Sequence, residues 1–247
     1  MSERNRQGKI SARERLRAER ERERASERRK RTAKVSGIAV AVLVVATGVG
    51  IIAANGNGGG TGDTPAVDPV SVGRDDAPAT LAVYEDFRCP ACGQFENGFR
   101  DTVAELTDEG KLRVDYHLVT IIDGNLGGNG SKFAANAALC ARDEGKFAEY
   151  HDVLFENQPP ESDDAFGDKS HLITLAGDVE GLDTESFRSC VRDGDNDEWV
   201  HRSNKGFLGS DFSGTPTILL DGENVYGDTD DPLTPDRLRE RVDELAG

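Results

Sequence analysis

The sequence predicts an α/β domain in the order strand, helix, strand, a block of helices, strand hairpin, helix, behind one apolar segment that can cross a bilayer. Three observations carry that prediction. A β-rich run, Thr80-Leu-Ala-Val-Tyr-Glu-Asp-Phe87, leads straight into a stretch with Phe95, Phe99, Val103 and Leu106 on one helical stripe. Leu112-Arg-Val-Asp-Tyr-His-Leu-Val119 alternates apolar and polar residues, as a half-buried strand does. Near the end, Pro216-Thr-Ile-Leu-Leu220, Asp221-Gly222 and Asn224-Val-Tyr226 read as strand, tight turn and strand.

The segments before the domain come first. Residues 1–34 hold 14 Lys and Arg against 6 Asp and Glu, a net of +8, and the other residues of the 247 carry a net of −24. The basic tail has helix-forming composition with opposite charges three and four apart, yet almost no apolar face. It suits a topology determinant resting on anionic headgroups better than a nucleic-acid-binding arm. Residues 35–54 contain no charged side chain. As a helix they would span about 30 Å, the thickness of a bilayer's hydrocarbon. With the basic flank on the N-terminal side, the expected topology is single-pass in the plasma membrane, with residues 1–34 cytoplasmic and the remainder extracytoplasmic. A cleaved signal is the competing reading, but its apolar core would be shorter and Ile52-Ala53-Ala54 matches a cleavage site poorly. Residues 55–69 are a Gly- and Asn-rich flexible linker, and residues 70–247 the outer domain. Its acidity favours solubility.

Within the domain, Cys89-Pro90-Ala91-Cys92 lies at the junction of the first strand and helix. Two cysteines three apart at a helix start can close a small disulfide. The unpaired N–H groups and positive dipole end of the helix stabilise the first thiolate. Pro90 suits the first turn, where its missing N–H removes no hydrogen bond. This is the local chemistry of a redox-active dithiol. A zinc half-site would need about two more ligands, but Cys140 and Cys190 stand alone and no His lies three to five residues from another. Haem attachment would need His where Gly93 stands. A purely structural bridge would close too small a loop to stabilise much.

After the second strand, 124–130 reads as a flexible Gly/Asn-rich loop without the Lys-Ser/Thr of a phosphate-binding loop. A helical region, about 131–209, follows, broken at Pro159-Pro160, Gly177 and Gly194. Phe147, Tyr150, His151, Leu154 and Phe155 mark one apolar face, and Thr184 is placed to cap a helix carrying Phe187, Cys190 and Val191. Thr234-Pro235 opens a last helix with Leu238, Val242 and Leu245 on one side.

From about residue 78 onward the chain resembles the DsbA-like thiol–disulfide oxidoreductases of the thioredoxin superfamily, above all the membrane-anchored actinobacterial forms. The resemblance rests on Tyr84-Glu-Asp-Phe-Arg-Cys-Pro-Ala-Cys92, Ala134-Ala-Asn-Ala-Ala-Leu-Cys140, Phe147-Ala-Glu-Tyr-His-Asp-Val-Leu-Phe155 and Gly214-Thr-Pro-Thr217. It implies a thioredoxin fold with a helical insertion. It also implies Cys89 as the solvent-facing nucleophile, Cys92 as the buried resolving cysteine, a cis Pro216 facing the dithiol, and Thr215 as the position that pairs with substrate backbone. The expected substrates are exported proteins with free thiols, with re-oxidation by a VKOR-like membrane partner and no cofactor or metal. Strongly oxidising members carry His where this chain has Ala91, which leaves the direction of exchange open.

The remaining candidates follow from the residues themselves. Glu85 and Asp86 precede the dithiol and read as solvent-facing acids at a strand end, with proton relay as the sharper alternative. Cys140 and Cys190, about fifty residues apart, are expected to form a structural disulfide; two buried thiols or a second redox relay are the alternatives. The four histidines show no ligand spacing and read as surface or core residues, and Trp199 reads as packing. Three functions stay open: an oxidase of exported proteins, a reductase or isomerase with the same dithiol, and an anchored binding module without catalysis.

Overall fold

The computed structural model describes residues 67–229 and 231–247. The basic tail, the apolar segment and the linker through residue 66 lie outside the described residues. Among the described residues no helix is long and apolar enough to cross a membrane.

Five strands form one mixed sheet in the order β1-β3-β2-β4-β5: β1 Val70–Val72, β2 Ala79–Glu85, β3 Leu112–Leu118, β4 Thr217–Leu220 and β5 Glu223–Asn224. Strands β2 and β3 are parallel, with Ala79 opposite Leu112 and Glu85 opposite Leu118. A parallel pair needs a crossover, and α1 (Pro90–Asp108) supplies it. Strand β2 buries every second residue, Ala79, Leu81, Val83 and Glu85, so the apolar pattern fixes its register. Helix α1 turns Cys92, Phe95, Glu96, Phe99 and Leu106 inward. Full burial of each phenylalanine contributes about 2 kcal/mol.

The insertion contains α2 (Ile121–Leu126), α3 (Gly130–Asp143), α4 (Phe147–Glu156), α5 (Lys169–Leu175), α6 (Glu185–Asp193) and α7 (Asp197–Leu208). Helix α3 is buried nearly all round by alanines, and small side chains let its neighbours approach closely. The apolar face of α4 is buried throughout, and the Tyr150 hydroxyl donates to the Leu172 carbonyl at 2.7 Å. Thr184 caps α6 by accepting from the Phe187 N–H. A bond between Cys140 and Cys190 ties α3 to α6, and Asn196 donates its side-chain amide to both sulfurs. Helix α8 (Pro235–Ala246) is capped by Thr234.

The structure departs from the sequence reading in five places. Strand β1 was too short to register as a pattern. The stretch read as a flexible loop at 124–130 is partly helical and pinned: Asp164 accepts from the Asn129 and Gly130 N–H groups, and Asp123 from those of Ser131 and Lys132. A break at Glu144–Lys146, with Gly145 at φ 70°, divides α3 from α4. The hairpin turn does have φ of 47° at Asp221 and 87° at Gly222, as a two-residue turn requires. Its return strand ends at Asn224, whose side chain accepts from the Tyr226 N–H and leads the chain off the sheet. Leu238 and Val242 are buried, but Leu245, in the last turn of α8, is 45 % exposed.

Candidate active site

The turn between β2 and α1 is organised by Asp86. Its carboxylate accepts from the N–H groups of Arg88 and Ile122, each at 2.9 Å, and its carbonyl accepts from the Cys89 N–H. Cys89 is thereby held in extended geometry at the N-cap of α1, with Pro90 in the first turn. Strand β4 runs antiparallel to β2 with Tyr84 opposite Thr217, which brings the preceding Thr215–Pro216 beside the dithiol. That peptide bond is cis, and the Cys89 Sγ lies 3.3 Å from the Thr215 carbonyl oxygen.

The two sulfurs are free thiols in different surroundings. Cys89 is drawn down to about 7, chiefly by hydrogen bonding from Cys92, against burial; the Thr215 side chain and the N–H groups of Cys92 and Ala91 add to it. Cys92 is pushed well above the ordinary thiol range by burial, then by its hydrogen bond to Cys89 and by that neighbour's charge. Cys89 is 7 % exposed and Cys92 0 %. The nucleophile expected to face solvent is therefore largely covered, because the Thr215 carbonyl lies over its sulfur. What access exists belongs to Cys89.

Glu85 and Asp86 are not solvent-facing acids: they are 1 % and 0 % exposed. The inward alternation of β2 carries Glu85 into the core, and the turn folds Asp86 under α2. Burial raises Asp86 to about 6 against the hydrogen bonds it accepts. Glu85 meets His151 of α4, Oε1 to Nε2 at 2.7 Å.

Several site residues were not singled out from the sequence. Gln158 donates from Nε2 to the carbonyls of Phe87 and Cys89, both at 2.9 Å. It lies so close to α1 that a Cβ on Gly93 would stand 2.3 Å from its Oε1. Arg88, buried beside Cys89, donates to Asp123 at 2.7 Å and pairs with Asp164 at 2.9 Å, tying the active-site turn to the insertion. Tyr226 packs edge-on against Phe95, and its phenol is raised by burial and by the charge of both cysteines. Glu96, one turn after Cys92, was detectable as a charged residue on an otherwise apolar stripe.

The family model described as Thioredoxin matches residues 66–244. DsbA of Mycobacterium tuberculosis superposes with a TM-score of 0.62 at 32% identity, covering 73% of this chain and 93% of that one. The chain belongs to the DsbA-type thioredoxin-fold family. Within this family, the disulfide bond formation protein D of Bacillus subtilis is 26% identical over 189 residues, 71% of this chain and 77% of that protein. A Na(+)/H(+) antiporter NhaA 1 of Salinispora arenicola is 31% identical over 157 residues, 63% of this chain but only 22% of the antiporter. The chain thus spans about a fifth of the length of that relative.

Proposed function

We propose that this DsbA-type domain oxidises cysteine pairs in exported proteins, working outside the cell from a membrane anchor at residues 35–54. One observation carries the reading: a readily ionised Cys89 and a protonated, buried Cys92 share the first turn of α1, facing Thr215 and Pro216. In the oxidised enzyme a substrate thiolate attacks the Cys89 sulfur. The Cys89–Cys92 bond breaks, and Cys92 leaves as a thiolate that takes up a proton. A second substrate thiolate then attacks its own partner sulfur in the mixed disulfide. Cys89 leaves as a thiolate stabilised by the groups around it. Two substrate thiols have become a disulfide, and two electrons rest on the enzyme.

In this reading Pro90 and Ala91 set the first turn, and Ala91 contributes only its N–H to the thiolate. Asp86 fixes the turn, Glu85 lies behind Cys92, and Thr215 offers backbone to an extended substrate. The Cys140–Cys190 bond serves stability, as suits an oxidising compartment. A VKOR-like membrane protein is the proposed re-oxidant. The basic flank and the uncharged apolar run support the anchored topology.

Ala91 favours weighing a second direction, reduction or isomerisation by the same dithiol. The test is the reduction potential of the pair in a glutathione series, with turnover of a reduced, unfolded cysteine protein. Oxidants such as DsbA lie near about −120 mV and reductants such as thioredoxin near about −270 mV. A value near the upper figure, with oxidation abolished in Cys89→Ser, is expected. A value near the lower one overturns the oxidase reading. Undiminished activity in Cys89→Ser points instead to a non-catalytic anchored module.

A further inference from the structure

Beneath the dithiol lies a buried cluster that the exchange steps do not use. Glu85 closes β2, Glu96 follows Cys92 by one turn on α1, and His151 comes from α4; they are 1 %, 6 % and 1 % exposed. One donor atom from each lies within 4.8 Å of the other two. We propose that Glu85, Glu96 and His151 form a binding site for one divalent transition-metal ion, of which Zn2+ suits the donors best.

Charge is the first argument. With both carboxylates ionised and the imidazole protonated, the cluster still carries one unbalanced negative charge in the core. The groups packed around it do not cancel that charge. Tyr116 of β3 is neutral, Cys92 adds none when protonated, and Asp152 is a further acid. Arg100, which lines the cleft beside Glu96 and His151, is already engaged with Asp152 at 3.1 Å and with Glu156. Such a cluster must take up a further proton or a cation.

Of those two occupants, the three-donor geometry and the cleft that reaches it favour the ion. Glu85 Oε2 and Glu96 Oε1 are buried with no hydrogen-bond partner among the described residues. A proton shared between the two carboxyls joins them as donor and acceptor, so it satisfies both oxygens. A metal ion about 2.0–2.2 Å from each carboxylate oxygen and from an imidazole nitrogen also satisfies both. One nitrogen and two carboxylate oxygens match zinc chemistry, whereas Ca2+ and Mg2+ call for about six or more oxygens. His151 is set as a ligand is, with Nε2 towards Glu85 and Nδ1 3.8 Å from the Asp152 carboxylate. A cleft of about 190 Å³, lined by Glu96, Tyr116, Arg100, His151 and Asp152 among others, reaches the cluster and offers a way in and room for a water as fourth ligand. Sequence spacing hides the set, because its members come from three elements.

The test is calorimetric titration with Zn2+ of the untagged full chain in detergent, stripped with a chelator and held in the Cys89–Cys92 disulfide form so that no thiolate competes. Saturable 1:1 uptake is expected, weakened at least tenfold by Glu96→Gln and by His151→Gln, each checked for a native circular dichroism spectrum. Asp152→Asn, at a partly exposed position whose carboxylate pairs with Arg100 and also approaches the His151 Nδ1, is expected to weaken it by no more than about tenfold. Should the core variants unfold, the wild type alone decides: uptake heats in buffers of different ionisation enthalpy should report at least one proton expelled per ion. No saturable uptake at 100 μM Zn2+ overturns the proposal. So does uptake indifferent to the folded Glu96→Gln or His151→Gln variant, or uptake that expels no proton, since either marks surface carboxylates as the site. None of these outcomes depends on the exchange activity.

Discussion

The largest influence on the Cys89 thiolate is the hydrogen bond from Cys92, so removing that donor is the most direct perturbation of the site. Cys89 stands at about 7 against 9.0 for an unperturbed thiol, which corresponds to about 3 kcal/mol in favour of the thiolate. A hydrogen bond to a charged group contributes about 1.5–3 kcal/mol. Cys92→Ala should therefore carry the Cys89 midpoint from about 7 to 8 or above, while Cys92→Ser, which keeps an O–H donor, should leave it near 7. The assay is the pH dependence of iodoacetamide alkylation of the reduced protein, together with thiolate absorbance near 240 nm. The rate at pH 7 alone would mislead. A midpoint of 8 cuts the thiolate from half to about a tenth, but each remaining thiolate is about threefold more nucleophilic. The net loss is only about twofold, so the midpoint decides. A Cys92→Ala midpoint that stays at 7 would falsify the assignment and leave the helix terminus and the Thr215 side chain as the source of the shift.

The same depressed acidity links redox to pH. The Cys89 thiolate stabilises the reduced form above the unperturbed value of 9.0, and that contribution is lost as pH falls through about 7. Below 7 the couple takes up two protons and above it one, so the potential should fall by about 60 mV per pH unit below the break and about 30 mV above it; an unbroken slope from pH 5 to 9 contradicts the prediction. Replacing both Cys140 and Cys190 by alanine opens a loop with a sequence separation of 50 and should lower the urea unfolding free energy by about 4 kcal/mol; a loss below about 1 kcal/mol would mean that the unfolded chain is not constrained by the bridge. Gly93→Ala forces Gln158 away from the carbonyls of Phe87 and Cys89, and two lost hydrogen bonds outweigh the gain in helix propensity by about 1 kcal/mol. In a Gln158→Ala background the same change should become neutral or stabilising, and equal effects in both backgrounds would rule out the contact.

Much of the fold was legible because its elements obey their own periods. Strand β2 alternates, α1 carries an apolar stripe, and α6 and α8 are each announced by a threonine cap. What failed did so for lack of length or for long-range reasons. Three residues in β1 cannot display a period. The glycine-rich stretch after α2 looks free in sequence, and only Asp123 and Asp164, the latter about 35 residues on, reveal it as fastened. The site divides along the same line. Cys89 and Cys92 are a local arrangement, readable because a helix start imposes one chemistry on two cysteines three apart. Acids at a strand end are usually solvated, which is what the sequence predicts for Glu85 and Asp86. Their burial depends on His151, Ile122 and Arg88, and no window of sequence contains all of those partners.

The placement of charge in this domain follows from that difference. The surface is strongly acidic and needs no pairing, since water solvates it. The interior around the dithiol instead holds Arg88 against Asp123 and Asp164, and His151 against Glu85, each acid met by a base from a distant element. Removing one partner would strand the other charge in the interior, so the pairs fix how the insertion meets the β2–α1 turn rather than adding net stability. Asp86 is met instead by the N–H groups of Arg88 and Ile122, whereas Glu96 is an acid 6 % exposed one turn from Cys92 whose carboxyl is held well above its ordinary range by burial and by Glu85. The arginine and histidine pairs account for the geometry of the turn. Glu96 is not needed for that geometry, and its unmet oxygen leaves room for a ligand from outside the chain.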